Sequence, residues 1–145
     1  TTPQGKGEKK KDIIGIMAAH RIPYAATLSI AHPEDFQAKI RKALAIDGFR
    51  FFLLHAPCPT GWKTEPAETI ELVHLAVRSG IFPLYEVYDG VDYRINVEPD
   101  GNDPVEYFSK QKRFGPDQPD LDSIKRAIAG RNARLKALAE LGREG

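Results

Sequence analysis

The sequence of 145 residues predicts an α/β fold with parallel strands flanked by helices, then a β-hairpin and a C-terminal helix. Three observations lead there. Up to Gly80, apolar residues alternate between helical spacing and short continuous runs, in the order helix, strand, helix, strand, helix. The run Phe51 to His55 is too short for a helix and too apolar for a strand with one wet face, so it reads as a central strand buried on both faces. Asp89-Gly90, between two alternating runs, is the residue pair of a tight hairpin turn.

The elements follow in order. Asp12 caps a helix whose inner positions are Ile13, Ile16, Met17 and His20, and Pro23 ends it before the short buried strand "YAATLSI" (24–30). A second helix opens at Pro33. Glu34 and Asp35 complement its positive end, Lys39, Arg41 and Lys42 its negative end, and Phe36, Ile40, Ala43 and Leu44 form its inner stripe up to a stop at Gly48. After strand 50–55 comes a helix with Ile70, Val73 and Val77 inward and Gly80 as its stop. The hairpin, the loop "EPDGNDP", a short helical piece "VEYFSKQKRF" and the breaker "GPDQPD" lead to a last helix over about 121–141, striped with Leu121, Ile124, Ile128, Leu135 and Leu138. Strand 50–55 wants a parallel neighbour on each side, and only one is visible. The sheet is therefore incomplete, and its missing strands are expected from another segment or chain. Residues 1–115 read as one domain portion and 116–145 as a helical extension.

Composition narrows the function classes. A formal net charge of +1 gives no global argument for nucleic acid or an anionic membrane, and the lysines of "KGEKKK" (6–11) read as a solvated lead-in to a helix. No run approaches the roughly 20 apolar residues of a membrane span, and the polar opening has no signal-peptide pattern. The start at Thr1 rather than Met is read as processing or as a piece of a longer polypeptide. A single cysteine excludes an internal disulfide and fits a reducing, cytoplasmic setting; any multi-thiolate metal site must draw its other ligands from elsewhere.

That cysteine lies in "HAPCPTGW" (55–62), after the carboxyl end of the most apolar strand, where open α/β sheets place their ligands. Pro57 and Pro59 restrict φ on either side of Cys58. Cys58-Pro59-Thr60-Gly61 suits a type I turn, which would aim the amides of Thr60, Gly61 and Trp62 back at the sulfur. Amides directed at a thiolate stabilise the anion or tune a metal bound to it. Three readings fit: a buried structural thiol, a metal or cluster ligand, and a nucleophile. His55 is the only nearby support for the last, with no acid to orient it. His20, His32 and His74 share no zinc spacing, and there is no GxGxxG, no P-loop and no Gly-Asp-Gly segment of the kind that holds magnesium diphosphate in thiamine enzymes.

The stretches "TTPQGK", "KKKDIIGIMAAHRIPYAATLSIAHPEDFQAKIRKAL" and "LLHAPCPTGWKTEPAETIELVHLAVRSGIFPLYEV" together resemble the C-terminal part of the beta subunit of 2-oxoacid:ferredoxin oxidoreductases, nearest the pyruvate type, from Thr1 to about Phe114. The resemblance implies a portion of a thiamine diphosphate-binding fold and an enzyme that decarboxylates pyruvate oxidatively with coenzyme A, passing electrons to a proximal 4Fe-4S cluster and then to ferredoxin. It implies Cys58 as the fourth cluster ligand, with Pro57, Pro59, Thr60, Gly61 and Trp62 supporting the loop. Thr1 and Thr2 would lie near the thiamine diphosphate pocket. The other three cysteines and the residues that grip Mg2+ and diphosphate are absent, so they are expected from the rest of the beta subunit, assembled with alpha-, gamma- and delta-type subunits, and this chain alone should be inactive. A docking or regulatory subunit that keeps the fold, and a thiol-dependent enzyme using Cys58, are the alternatives.

Overall fold

The computed structural model describes residues 10–114 and 120–142. Helix α1 (Ile13–Ala19) leads into strand β1 (Tyr24–Ser29), α2 (Pro33–Leu44) and β2 (Arg50–His55). A single turn α3 (Pro59–Trp62) and a 3-10 turn (Pro66–Glu68) precede α4 (Thr69–Arg78), and β3 (Leu84–Tyr88) and β4 (Asp92–Val97) form the hairpin. Then come α5 (Pro104–Ser109), a 3-10 turn (Lys112–Phe114) and α6 (Leu121–Leu141). The expected order, the hairpin at Asp89-Gly90 and the long final helix are all present. Asp12 accepts the Gly15 amide as the cap of α1, and the turn residues Asp89 and Gly90 take φ of 50° and 74°, as a hairpin of this hand requires.

The sheet runs β2-β1-β3-β4. β1 and β2 are parallel, from Tyr24 opposite Arg50 to Ser29 opposite His55, while β3 lies antiparallel to β1 and β4 antiparallel to β3. Here the expectation for strand 50–55 is corrected. β1 is buried at every position, whereas β2 is an edge strand of half-buried and exposed residues. The hairpin takes the other side of β1, so among the described residues β2 has no second neighbour. Its apolar run reported a burial that the strand does not receive here.

Three apolar clusters hold the layers together. On one face Ala25, Tyr85 and Val87 pack against Ile14, Ala18 and Leu135, which brings α1 and α6 onto the sheet. The opposite face joins Tyr24 and Ala26 to Ala43 of α2. A third cluster fills the space between α4, Phe82, Leu84 and Tyr107. Arg131 of α6 donates to the carbonyls of Gly80 and Ile81, which tethers α6 to the turn after α4.

Two polar groups are buried on the α2 side. The Lys39 ammonium, named in the sequence only as a complement to the negative end of α2, is fully buried and donates to the Thr27 carbonyl at 2.9 Å and to Asp35 at 2.7 Å. Leu44, expected on the inner stripe, is instead 78% exposed, and Ile70 of α4 is likewise exposed. Glu86 is 1% exposed and accepts from Tyr24 (2.6 Å), Lys42 (2.8 Å), Asn96 (2.6 Å) and Tyr88 (3.1 Å). Burial alone would raise its pKa, but the hydrogen bonds of Lys42, Tyr24 and Asn96 outweigh it and hold the carboxyl down at about 2.

Candidate functional site

Because β1 and β2 are parallel and end in register at Ser29 and His55, the loops that follow them leave the sheet on the same side. One carries His32 and the other Cys58. In the second loop Cys58 is extended (φ −108°, ψ 101°) and caps α3. Its Sγ accepts the Gly61 amide at 3.4 Å, while the Trp62 amide goes to the Cys58 carbonyl at 2.9 Å. Only one of the three expected amides thus reaches the sulfur. The other fold of the loop is set by Lys63, whose left-handed φ of 54° ends the turn and returns the Thr64 amide to Pro59.

Cys58 is exposed, so nothing among the described residues buries it as a structural thiol. The nucleophile reading loses its base. Among the described residues no hydrogen bond joins His55 to Cys58, and the imidazole stacks on Phe82 with ring centres 4.8 Å apart. Burial, with a smaller push from the Lys10 ammonium, lowers the His55 pKa to about 4, and its buried Nε2 has no partner among the described residues. An imidazole so placed is neutral at pH 7 and stays on the inner side of the loop.

An aromatic layer backs the loop. Trp62 meets Tyr107 edge-on at 6.3 Å, His55 lies 5.9 Å from the Trp62 ring, and the Arg113 guanidinium covers the indole at 4.3 Å. His55, Phe82, Tyr107 and Arg113 come from four separate segments. Sequence reading singled out Trp62 and weighed His55 only as a base; it had no signal for the rest.

At the end of β1, His32 Nδ1 lies 2.9 Å from Ser29 Oγ and its ring meets His74 at 4.9 Å. Burial and the neighbouring His74 keep the His32 pKa low. An open cleft of about 360 Å³ adjoins it, lined by Ala31, His32, Pro33, Glu34, Asp35 and Val97. Among the described residues no three His, Cys, Asp or Glu side chains converge to hold a metal ion. Thr1 and Thr2 lie outside the described residues. No described helix is long and apolar enough to cross a membrane.

The donor chemistry at Cys58 fits a cluster ligand: a thiol open to its surroundings, backed by one amide, on a turn whose direction two prolines restrict. One thiolate is one ligand, so the remaining ligands of such a cluster would have to come from outside this chain.

Comparison with known proteins returns consistent relatives. Pyruvate synthase subunit PorB of Methanocaldococcus jannaschii is 50% identical over 112 residues, 77% of this chain and 37% of that protein. Ketoisovalerate oxidoreductase subunit VorB of Pyrococcus abyssi is 45% identical, covering 97% of this chain and 48% of its own length. PorB of Thermotoga maritima is 40% identical over 97% of this chain and 45% of that protein. No protein-family model matches. The chain thus spans less than half the length of these relatives.

Proposed function

We propose, on the premise that this chain is homologous to part of the beta subunits of 2-oxoacid:ferredoxin oxidoreductases, that it forms the C-terminal part of such a subunit and supplies Cys58 as one ligand of a 4Fe-4S cluster. The observation that carries the reading is the exposed sole thiol at the carboxyl end of β2, with its sulfur already accepting an amide hydrogen bond. When bound, the cluster supplies one-electron acceptance. The chain's part is positional. Pro57 and Pro59 restrict the backbone on either side of the ligand, the Gly61 amide donates to its sulfur, and Trp62 anchors the turn in the aromatic layer.

The reaction served is oxidative decarboxylation of a 2-oxoacid with coenzyme A, pyruvate being the first reading, with ferredoxin as the electron acceptor and alpha-, gamma- and delta-type subunits as partners in the cytoplasm. Thiamine diphosphate and Mg2+ would be held by residues outside this chain. Ketoisovalerate is the second reading, supported by a VorB relative that is 45% identical over 97% of this chain, against 40% for the Thermotoga maritima PorB at the same coverage. The test is Cys58→Ala in the assembled enzyme, read by iron per protein and by low-temperature electron paramagnetic resonance. Loss of iron and of one cluster signal is expected; unchanged iron content and spectra would overturn the assignment.

A further inference from the structure

We infer that Arg113 tunes the site at Cys58: its guanidinium, held over Trp62, is a fixed positive charge that raises the reduction potential of the cluster to which Cys58 is a ligand. This rests on the reading of Cys58 as such a ligand. Arg113 belongs to the 3-10 turn after α5, far along the chain from Cys58, and the fold alone brings it to the loop.

Three cations, Lys110, Lys112 and Arg113, stand along this short stretch, and they are not equivalent. Lys110 pairs with Glu68 at 2.9 Å and Lys112 with Glu65 at 3.5 Å, so both charges are answered by carboxylates. Arg113 goes to rings instead. Its guanidinium lies 4.3 Å from the centre of the Trp62 ring and 4.8 Å from that of Phe114. Among the described residues no carboxylate pairs with it. An aromatic face attracts a cation through its quadrupole and leaves the charge uncancelled, whereas a carboxylate in contact would neutralise it. Arg113 keeps an exposed edge, but the two rings fix its place; Lys63, the cation on the Cys58 turn itself, is exposed and stacks on no ring.

The turn carries that charge to the thiol. The Trp62 amide donates to the Cys58 carbonyl at 2.9 Å, so the two residues stand one helical turn apart. Side chains so spaced lie about 5–6 Å apart at Cβ, which puts the guanidinium on the order of 10 Å from the sulfur. Reduction adds a negative charge to a cluster bound there, and a nearby positive charge stabilises the reduced form more than the oxidised one. The segment that brings the remaining ligands must pack against the same loop, which reduces solvent screening around the guanidinium. The placement is also braced. Gln111, 2% exposed, donates to the Tyr107 carbonyl at 2.8 Å, and Phe108 meets Phe114 edge-on at 5.6 Å, so the 3-10 turn is folded back on α5.

Redox titration of the assembled enzyme, followed by electron paramagnetic resonance, tests the inference on the signal that Cys58→Ala removes. Arg113→Gln should lower the reduction equilibrium of that cluster at least threefold, a downward shift of about 28 mV for a one-electron couple. Arg113→Lys keeps the charge and should hold the potential close to that of the unchanged enzyme. An unmoved potential in Arg113→Gln overturns the inference. So does an equal shift in Arg113→Lys, which makes the flat guanidinium and not its charge the cause. Failure of Arg113→Gln to assemble or to keep the cluster makes the arginine a structural prop and overturns it too. If Cys58→Ala removes no signal, the ligand reading falls and takes this inference with it. If that signal is lost but Arg113→Gln leaves its potential in place, the ligand reading stands and only the tuning falls.

Discussion

Tyr24 donates a hydrogen bond of 2.6 Å to Glu86 between adjacent strands, across 62 positions of sequence. That bond, with those of Lys42 and Asn96, keeps a carboxylate charged inside the sheet. The usual carboxyl pKa near 4.5 falls to about 2 in the folded chain. The unfolded state therefore takes up the proton first as pH drops, and the stabilisation is complete above pH 4.5 and lost between 4.5 and 2. At pH 7 Glu86→Gln should cost on the order of 3 kcal/mol. Urea denaturation should show the difference from the unchanged chain shrinking across that acid window; a constant difference would contradict it.

The His55 imidazole gives the opposite case of a base kept neutral. Its folded pKa of about 4 lies below the ordinary 6.5, so the unfolded chain again binds the proton first, now between pH 6.5 and 4. Stability should fall through that window by roughly 3 kcal/mol. Phenylalanine at this position keeps the stack on Phe82 and removes the unpartnered nitrogen. His55→Phe should then abolish the loss and stabilise the chain by about 1 kcal/mol at pH 7. Melting profiles at pH 4.5 and 7 would decide it.

Gly90 does more than turn the hairpin. Its φ of 74° suits glycine, and a Cβ there would overlap the carbonyl oxygen of Ala18 and come within 3.0 Å of Arg21 Cα. The hairpin tip is thus seated on the end of α1. Gly90→Ala should cost more than about 2 kcal/mol, whereas Gly130→Ala in the open middle of α6, where an added Cβ meets nothing, should stabilise the chain by up to about 1 kcal/mol. Equal midpoints in urea for the two variants would refute the seating.

The contrast between these elements shows what a sequence can carry. The hairpin, the caps and α6 were legible because their signals are local: a turn pair, a capping aspartate, a stripe of constant period. The position of β2 was not. Its apolar run states that both faces want cover, and says nothing of whether the cover lies in this chain. Leu44 departs from its expected inner place for a related reason. Helical spacing put it inside by side-chain type, yet no element among the described residues covers it, while the Thr27 carbonyl and Asp35 give the Lys39 ammonium a buried seat that spacing does not announce. At the candidate site the Pro-Cys-Pro frame marked Cys58, but its exposure depends on how the turn meets the sheet. The layer behind it joins residues 55, 62, 82, 107 and 113, a set that only the fold assembles.

Trp62 is the sole tryptophan of the chain, and it stands four residues from the sole cysteine. Its indole is covered by the Arg113 guanidinium and meets the Tyr107 phenol edge-on, with the His55 imidazole nearby. The tryptophan emission of this chain is therefore that of one fluorophore in one loop. Anything that binds at Cys58, or displaces Arg113, changes the colour or yield of that light without any label attached.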